Sequence, residues 1–157
     1  MAKSKNPIPP GFHSVTPHLI VKGAAKYIDF LVNAFGATEV FRAPGPSGKL
    51  MHATVRIGDS LLMLADHFPE MGHAQFSEGL WPMVLNLYVP DADAAWARAL
   101  GAGCSVVFPI ADQFWGARYG QVKDPFGFTW AIATHIEDLT PAEVEERQKK
   151  AFAGGGH

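Results

Sequence analysis

The chain has 157 residues, a net charge of -2 and a composition that is 48% hydrophobic and 18% charged, which is globular and argues against intrinsic disorder. Its lysines and arginines are scattered, giving no basic patch for nucleic acid. No window approaches the ~20 apolar residues of a membrane span, and the single Cys104, set in GAGCSVVF, rules out an internal disulfide framework and reads as a small buried side chain.

The N-terminal MAKSKNPIPPG lacks the apolar stretch of a secretory signal, so a cytoplasmic protein is expected. Residues 1–11, rich in proline and polar groups, are expected to be a flexible tail. The segment SVTPHLIVK alternates apolar and polar residues as a strand does, with Pro17 keeping it near an edge. Ala24, Ile28, Leu31, Val32 and Phe35 then recur at helical spacing before Gly36, a stop signal. Strands are predicted at 38–41, 49–57 and 60–65, the last two joined by a tight turn at Gly58 and Asp59.

A loop at 67–81 carries His67, Phe68, Met71, His73, Phe76 and Trp81. Its apolar residues suit a lid, whereas its histidines fit no recognised ligand spacing and read as solvated. A strand at 82–89 follows, then a helix capped by Asp91 that presents Ala92, Ala95, Trp96, Ala99 and Leu100 and ends near Gly101 and Gly103. Further strands are predicted at 104–110, 114–123 and 128–134, with a structural turn at Asp124–Gly127. Thr140, Pro141 and Glu143 form a capping box that opens a helix over 141–152.

The order βαβββ thus occurs twice. FGATEVF matches LGAGCSVVF at an offset of about 65 residues, and ATVRIGDSLLMLAD matches GQVKDPFGFTWAIAT at about 67, the signature of an internal duplication. The expected organisation is a core of residues 12–136, with repeats at 12–66 and 82–136, followed by a C-terminal helix and tail at 137–157.

VTPHLIVKGAAKYIDF, MHATVRIGDSLLMLAD and FWGARYGQVKDPFGFTW resemble the vicinal oxygen chelate superfamily, which contains glyoxalases, bleomycin-resistance proteins and extradiol dioxygenases, and within it the PhnB-like branch. The resemblance spans residues 14–136. It implies an α+β fold of two βαβββ units forming a half-open mixed sheet around a small-molecule cavity, with helices on the convex face. It also implies a homodimer.

Alternation along the strands turns Met51, Ala53, Val55 and Ile57 toward the helices and His52, Thr54 and Arg56 away from them. By the same rule Thr16, His18, Asn86 and Tyr88 face the ligand side. Metal-dependent relatives carry four His or Glu ligands, and the resemblance places those positions at Thr16, His52, Val84 and Ala131. Only His52 suits a transition metal there, although a two-residue slip would bring His18 beside it. A catalytic zinc wants about three protein ligands, so no metal is expected, and divalent Zn, Ni, Mn or Fe remains the alternative.

His52 has two readings, a hydrogen-bonded strand residue or a ligand contact and proton acceptor. Phe114, Trp115, Arg118 and Tyr119 either seal the sheet, with Arg118 in a structural ion pair, or form an aromatic wall with one cation for a planar or anionic ligand. The repeat offset sets Tyr119 opposite His52. The expected function is metal-independent sequestration of a small aromatic or anionic molecule, and the alternative is a lyase, isomerase or dioxygenase with an atypical site or His52 as base.

Overall fold

The computed structural model describes residues 4–73 and 82–153. The chain divides into two compact units, Met1–Phe76 and Ser77–His157. Phe76 and Trp81, two of the apolar residues predicted to build a lid, lie outside the described residues. Among the described residues, no helix is long and apolar enough to cross a membrane.

The first unit runs β1 (His18–Val21), α1 (Ala24–Phe35), β2 (Thr38–Pro44), β3 (Leu50–Ile57) and β4 (Ser60–Asp66). The strands form a mixed sheet ordered β1-β4-β3-β2, with β1 parallel to β4 and the other pairs antiparallel. β1 begins at His18 rather than Ser14. Pro17 has no N–H to offer a ladder, and only its carbonyl joins, accepting from the Met63 amide at 2.9 Å.

Helix α1 has no side-chain cap of its own behind Gly23. The cap comes from β4: Asp66 Oδ1 accepts from the Gly23 and Ala24 amides, each at 3.0 Å, and its Oδ2 accepts from the Leu50 amide at 2.7 Å. A buried carboxylate thus meets the positive helix end and satisfies orphan donors. At the other end Gly36 adopts a left-handed φ of 67° and the Ala37 amide reaches back to the Leu31 carbonyl, which stops the helix. Tyr27, Ile28 and Leu31 of α1, together with Leu19, Val21, Val55 and Leu64 of the sheet, make the core of this unit.

The second unit repeats the order with β5 (Val84–Tyr88), α2 (Ala92–Gly101), β6 (Ser105–Asp112), β7 (Ala117–Lys123) and β8 (Thr129–His135), and adds α3 (Pro141–Ala153). Its sheet is ordered β5-β8-β7-β6 with the same parallel and antiparallel pairings. Asp91 caps α2 by accepting from the Ala94 amide at 3.0 Å. Trp96 of α2 packs so closely on β7 that a Cβ on Gly120 would sit 2.7 Å from its ring and 2.8 Å from the Ile110 backbone.

Two departures from the predicted elements affect the site. β7 starts at Ala117, because Gln113–Gly116 is a turn closed by the Gly116 amide on the Gln113 carbonyl, so Phe114 and Trp115 stand on a turn and not on a strand. The turn after β7 is tied by a buried side chain as well as by Pro125 and Gly127: Asp124 accepts from the Phe126 and Phe128 amides and from Trp130 Nε1.

The C-terminal helix carries the predicted capping box, with Thr140 Oγ1 accepting from the Glu143 amide and Glu143 Oε2 from the Thr140 amide. It buries no residue of its own. A two-pronged Arg147–Glu137 pair and an edge contact of Phe152 with Phe114 hold it in place.

Candidate functional site: the sheet faces away from the helices

Each sheet has one face covered by its helix and one that no helix of its unit covers, although Thr54 and Leu61 on that face of the first sheet and Ala131 and Ala133 on that of the second are buried. On the uncovered face of the first unit, the register lines up His18, Met63, Thr54 and Phe41 in one row across β1, β4, β3 and β2. His52 lies in the next row of the same face. The His18 and His52 rings meet edge to face at 5.7 Å, and Phe41 lies 6.2 Å from His52. His52 Nε2 shares a 3.1 Å hydrogen bond with Thr54 Oγ1.

Plain alternation along β2 would point Phe41 the same way as Glu39. A β-bulge intervenes: Glu39 pairs with Val55 and Phe41 with Thr54, leaving Val40 as the extra residue. The bulge turns Phe41 onto the uncovered face.

The second unit repeats the arrangement with other side chains. Asn86, Ala131, Gln121 and Phe108 form the row equivalent to His18, Met63, Thr54 and Phe41, and a bulge at Val107 matches that at Val40. In the adjoining row Tyr88, Ala133 and Tyr119 align, so Tyr119 holds the position that His52 holds in the first sheet. The bond between His52 and Thr54 also has its counterpart, with Gln121 Nε2 donating to the Tyr119 hydroxyl at 2.8 Å. Trp115 stands edge-on to Tyr119 at 5.2 Å and Phe114 edge-on to Trp115 at 5.0 Å, while Phe108 borders Tyr119 at 6.4 Å.

Of the other predicted residues, Thr16 lies just before β1 and is half-buried, and Asn86 and Tyr88 are exposed. Arg118 is separated from Tyr119. It pairs with Thr134 on the helix side of the sheet, and its guanidinium donates to Asp93 of α2 at 3.0 Å and to Asp112 of β6 at 3.2 Å. Those two carboxylates hold its pKa above the ordinary value. That geometry matches the structural ion-pair reading of Arg118.

The imidazole of His18 is held below its ordinary pKa, first by partial burial and then by His52 and His73. Cys104 is buried, and that burial, with Asp124 nearby, pushes its thiol up to about 12, far from a nucleophile's range.

The strand positions on the two uncovered faces include two imidazoles and the Arg56 guanidinium in the first unit, and two amides, the Tyr88 and Tyr119 phenols and the Lys123 amine in the second, with no carboxylate among them. Asp66 lies on the covered face and is committed to three backbone amides. No group of three or more His, Cys, Asp or Glu side chains is placed to hold a metal ion among the described residues. The positions that the family resemblance assigns to metal ligands hold Thr16, Val84 and Ala131 besides His52, a donor set that does not fit a divalent metal.

The Glyoxalase/Bleomycin resistance protein/Dioxygenase superfamily model matches residues 11–132. The chain belongs to this superfamily. An uncharacterized protein of Mycobacterium bovis is 43% identical to it over 136 residues, covering 84% of this chain and 90% of that one. Among solved structures, protein PA1353 of Pseudomonas aeruginosa is 27% identical with a TM-score of 0.64, over 80% of this chain and all of that one. The PhnB protein of Bacillus cereus, 15% identical, shares the fold with a TM-score of 0.58 over 78% of this chain and 99% of its own.

The sequence reading placed His18, His52 and Thr54 on the side away from the helices through strand alternation and Tyr119 opposite His52 through the repeat offset. It missed Phe41, which the bulge redirects, and Gln121, whose match to Thr54 needs the 67-residue offset between Phe41 and Phe108 carried onto β7.

Proposed function

We propose that this superfamily member is a metal-independent binding protein that holds a small planar molecule against a sheet face turned away from its helix. The observation that carries the reading is the donor set of each face: hydrogen-bonding side chains beside aromatic rings, with Arg56 in the first unit and Lys123 in the second as cations and with no carboxylate. In the first unit imidazole and hydroxyl groups orient a ligand beside Phe41, and in the second amide and phenol groups do so beside Phe108 and Trp115. His52, bonded to Thr54, is a ligand contact in this reading.

Metal analysis of protein purified without chelator or affinity tag, followed by a thermal-shift screen of aromatic compounds, tests it. We expect sub-stoichiometric metal, a melting temperature unchanged by chelator, and at least one compound that raises it. Stoichiometric Zn, Ni, Mn or Fe whose removal lowers the melting temperature would overturn the reading in favour of a metal-dependent lyase, isomerase or dioxygenase. His52→Ala should weaken the compounds found; unchanged binding would remove His52 from the site.

A further inference from the structure

The two bulges set the same pair of side chains in adjoining rows in both units. In the first, Phe41 pairs with Thr54, and Arg56 of β3 lies in the next row of the same face, between Thr38 and Leu61. In the second, Phe108 pairs with Gln121, and Lys123 of β7 lies in the next row, between Ser105 and Thr129. The other polar positions differ between the units: His18 gives way to Asn86, His52 to Tyr119 and Thr54 to Gln121. What both keep is an aromatic ring and a cation separated by two residues of strand, about 7 Å.

Neither cation is spent on a protein partner. Arg42, Arg118 and Arg147 each hold a carboxylate, and Lys49 donates to the His67 carbonyl and sits 4.9 Å over the Phe68 ring. Arg56 and Lys123 make no hydrogen bond or ion pair among the described residues, and no carboxylate shares their strand faces. Arg56 is nevertheless held at one flank. The turn at 9–12, closed by the Phe12 amide on the Pro9 carbonyl at 3.1 Å, lies against its row, so that a Cβ on Gly11 would stand 3.7 Å from Arg56 Nη2 and 3.4 Å from Leu61. Leu61 is buried there, whereas Phe41 is 54% and Phe108 45% exposed. Each unit thus presents an open ring next to a cation whose donors the protein does not use.

We propose that Phe41 with Arg56 in the first unit, and Phe108 with Lys123 in the second, anchor a planar aromatic acid, the cation taking its carboxylate and the phenylalanine its ring. This role rests on the binding function proposed above and narrows the ligands to small aromatic carboxylates. A carboxylate lies in line with the ring that bears it and accepts two donors of a guanidinium, or the point charge of an ammonium. On a face without acidic side chains it meets attraction and no repulsion.

Naphthoate and naphthamide are matched in shape and differ in charge. In calorimetric titration at low salt the wild type should bind naphthoate about tenfold more tightly, the worth of a hydrogen bond to a charged group. Arg56→Gln and Lys123→Gln should each reduce that preference, and the double variant should erase it while melting with the wild type and still binding naphthamide, since no protein contact is lost. Exchanging the two cations, Arg56→Lys with Lys123→Arg, should keep the preference. So should Lys149→Gln with Lys150→Gln, which removes the same charge from α3.

Equal binding of the two compounds by the wild type, binding of neither, a preference that survives in the double glutamine variant, or one lost in the exchanged or α3 variants would each overturn the proposal. The binding function itself falls only if the whole aromatic panel fails to bind; neutral compounds bound without preference for the acid leave it standing.

Discussion

Asp66 illustrates how much a single buried carboxylate can organise. It caps α1, holds the start of β3 and ends β4, joining residues 43 and 16 positions away in the chain. Removing it leaves three amide donors facing a protein interior, so Asp66→Ala should cost about 3–5 kcal/mol in chemical denaturation. Asp66→Asn, which keeps one acceptor oxygen, should cost less. No local pattern announces this role, since the partners lie at sequence separations that periodicity does not reach. Strand alternation, by contrast, does reach His18 and His52.

His18 yields a pH prediction of definite sign. Its folded pKa lies below the ordinary value of 6.5 because burial, His52 and His73 all oppose the charge. The groups that bear on it are His52 from β3 and His73 from the loop, and no carboxylate stands on its face of the sheet. Above pH 6.5 both folded and unfolded chains hold the ring neutral, and the stability is fully present. As the pH falls below that value the unfolded chain takes up the proton first, so stability declines until the folded pKa is passed. Melting temperatures from pH 8 to pH 5 should fall less steeply for His18→Phe than for the wild type, by the part that belongs to this ring.

Among the elements, the close approach of α2 to β7 is the most exacting. Gly120→Ala would press a methyl group into the Trp96 ring and the Ile110 backbone, and should destabilise the protein by about 1–3 kcal/mol in urea. The helices were legible because their signals are local: Gly36 as a stop, Asp91 as a cap, and Thr140 with Glu143 as a box all act within a few residues. Strand starts were less so. Pro17 delays β1, and the Gly116 turn, pressed against the Glu137 carbonyl, removes Phe114 and Trp115 from β7. The first effect is local to Pro17, whereas the second draws on Glu137 from beyond the strand.

For the molecule as a whole, the duplication explains which side chains can change together. Thr54 beside Met63 in one sheet corresponds to Gln121 beside Ala131 in the other, so a small residue next to a large one has become a large residue next to a small one. Volume is kept while chemistry is exchanged. Thr54→Gln alone should therefore overpack against Met63 and cost about 1–3 kcal/mol, and adding Met63→Ala should recover more than half of that. A double-mutant cycle by denaturant titration measures the coupling directly. The sequence match revealed the repeat, but the equivalence of these pairs required the hydrogen-bond register of both sheets.

The bulges at Val40 and Val107 have a genetic consequence. Because the extra residue decides which way Phe41 and Phe108 point, the loss of one codon would restore regular alternation and withdraw an aromatic ring from the uncovered face, putting a neighbouring side chain in its place. A three-base deletion would then change the wall of the site more than most point mutations do, and could do so in either half of the gene independently.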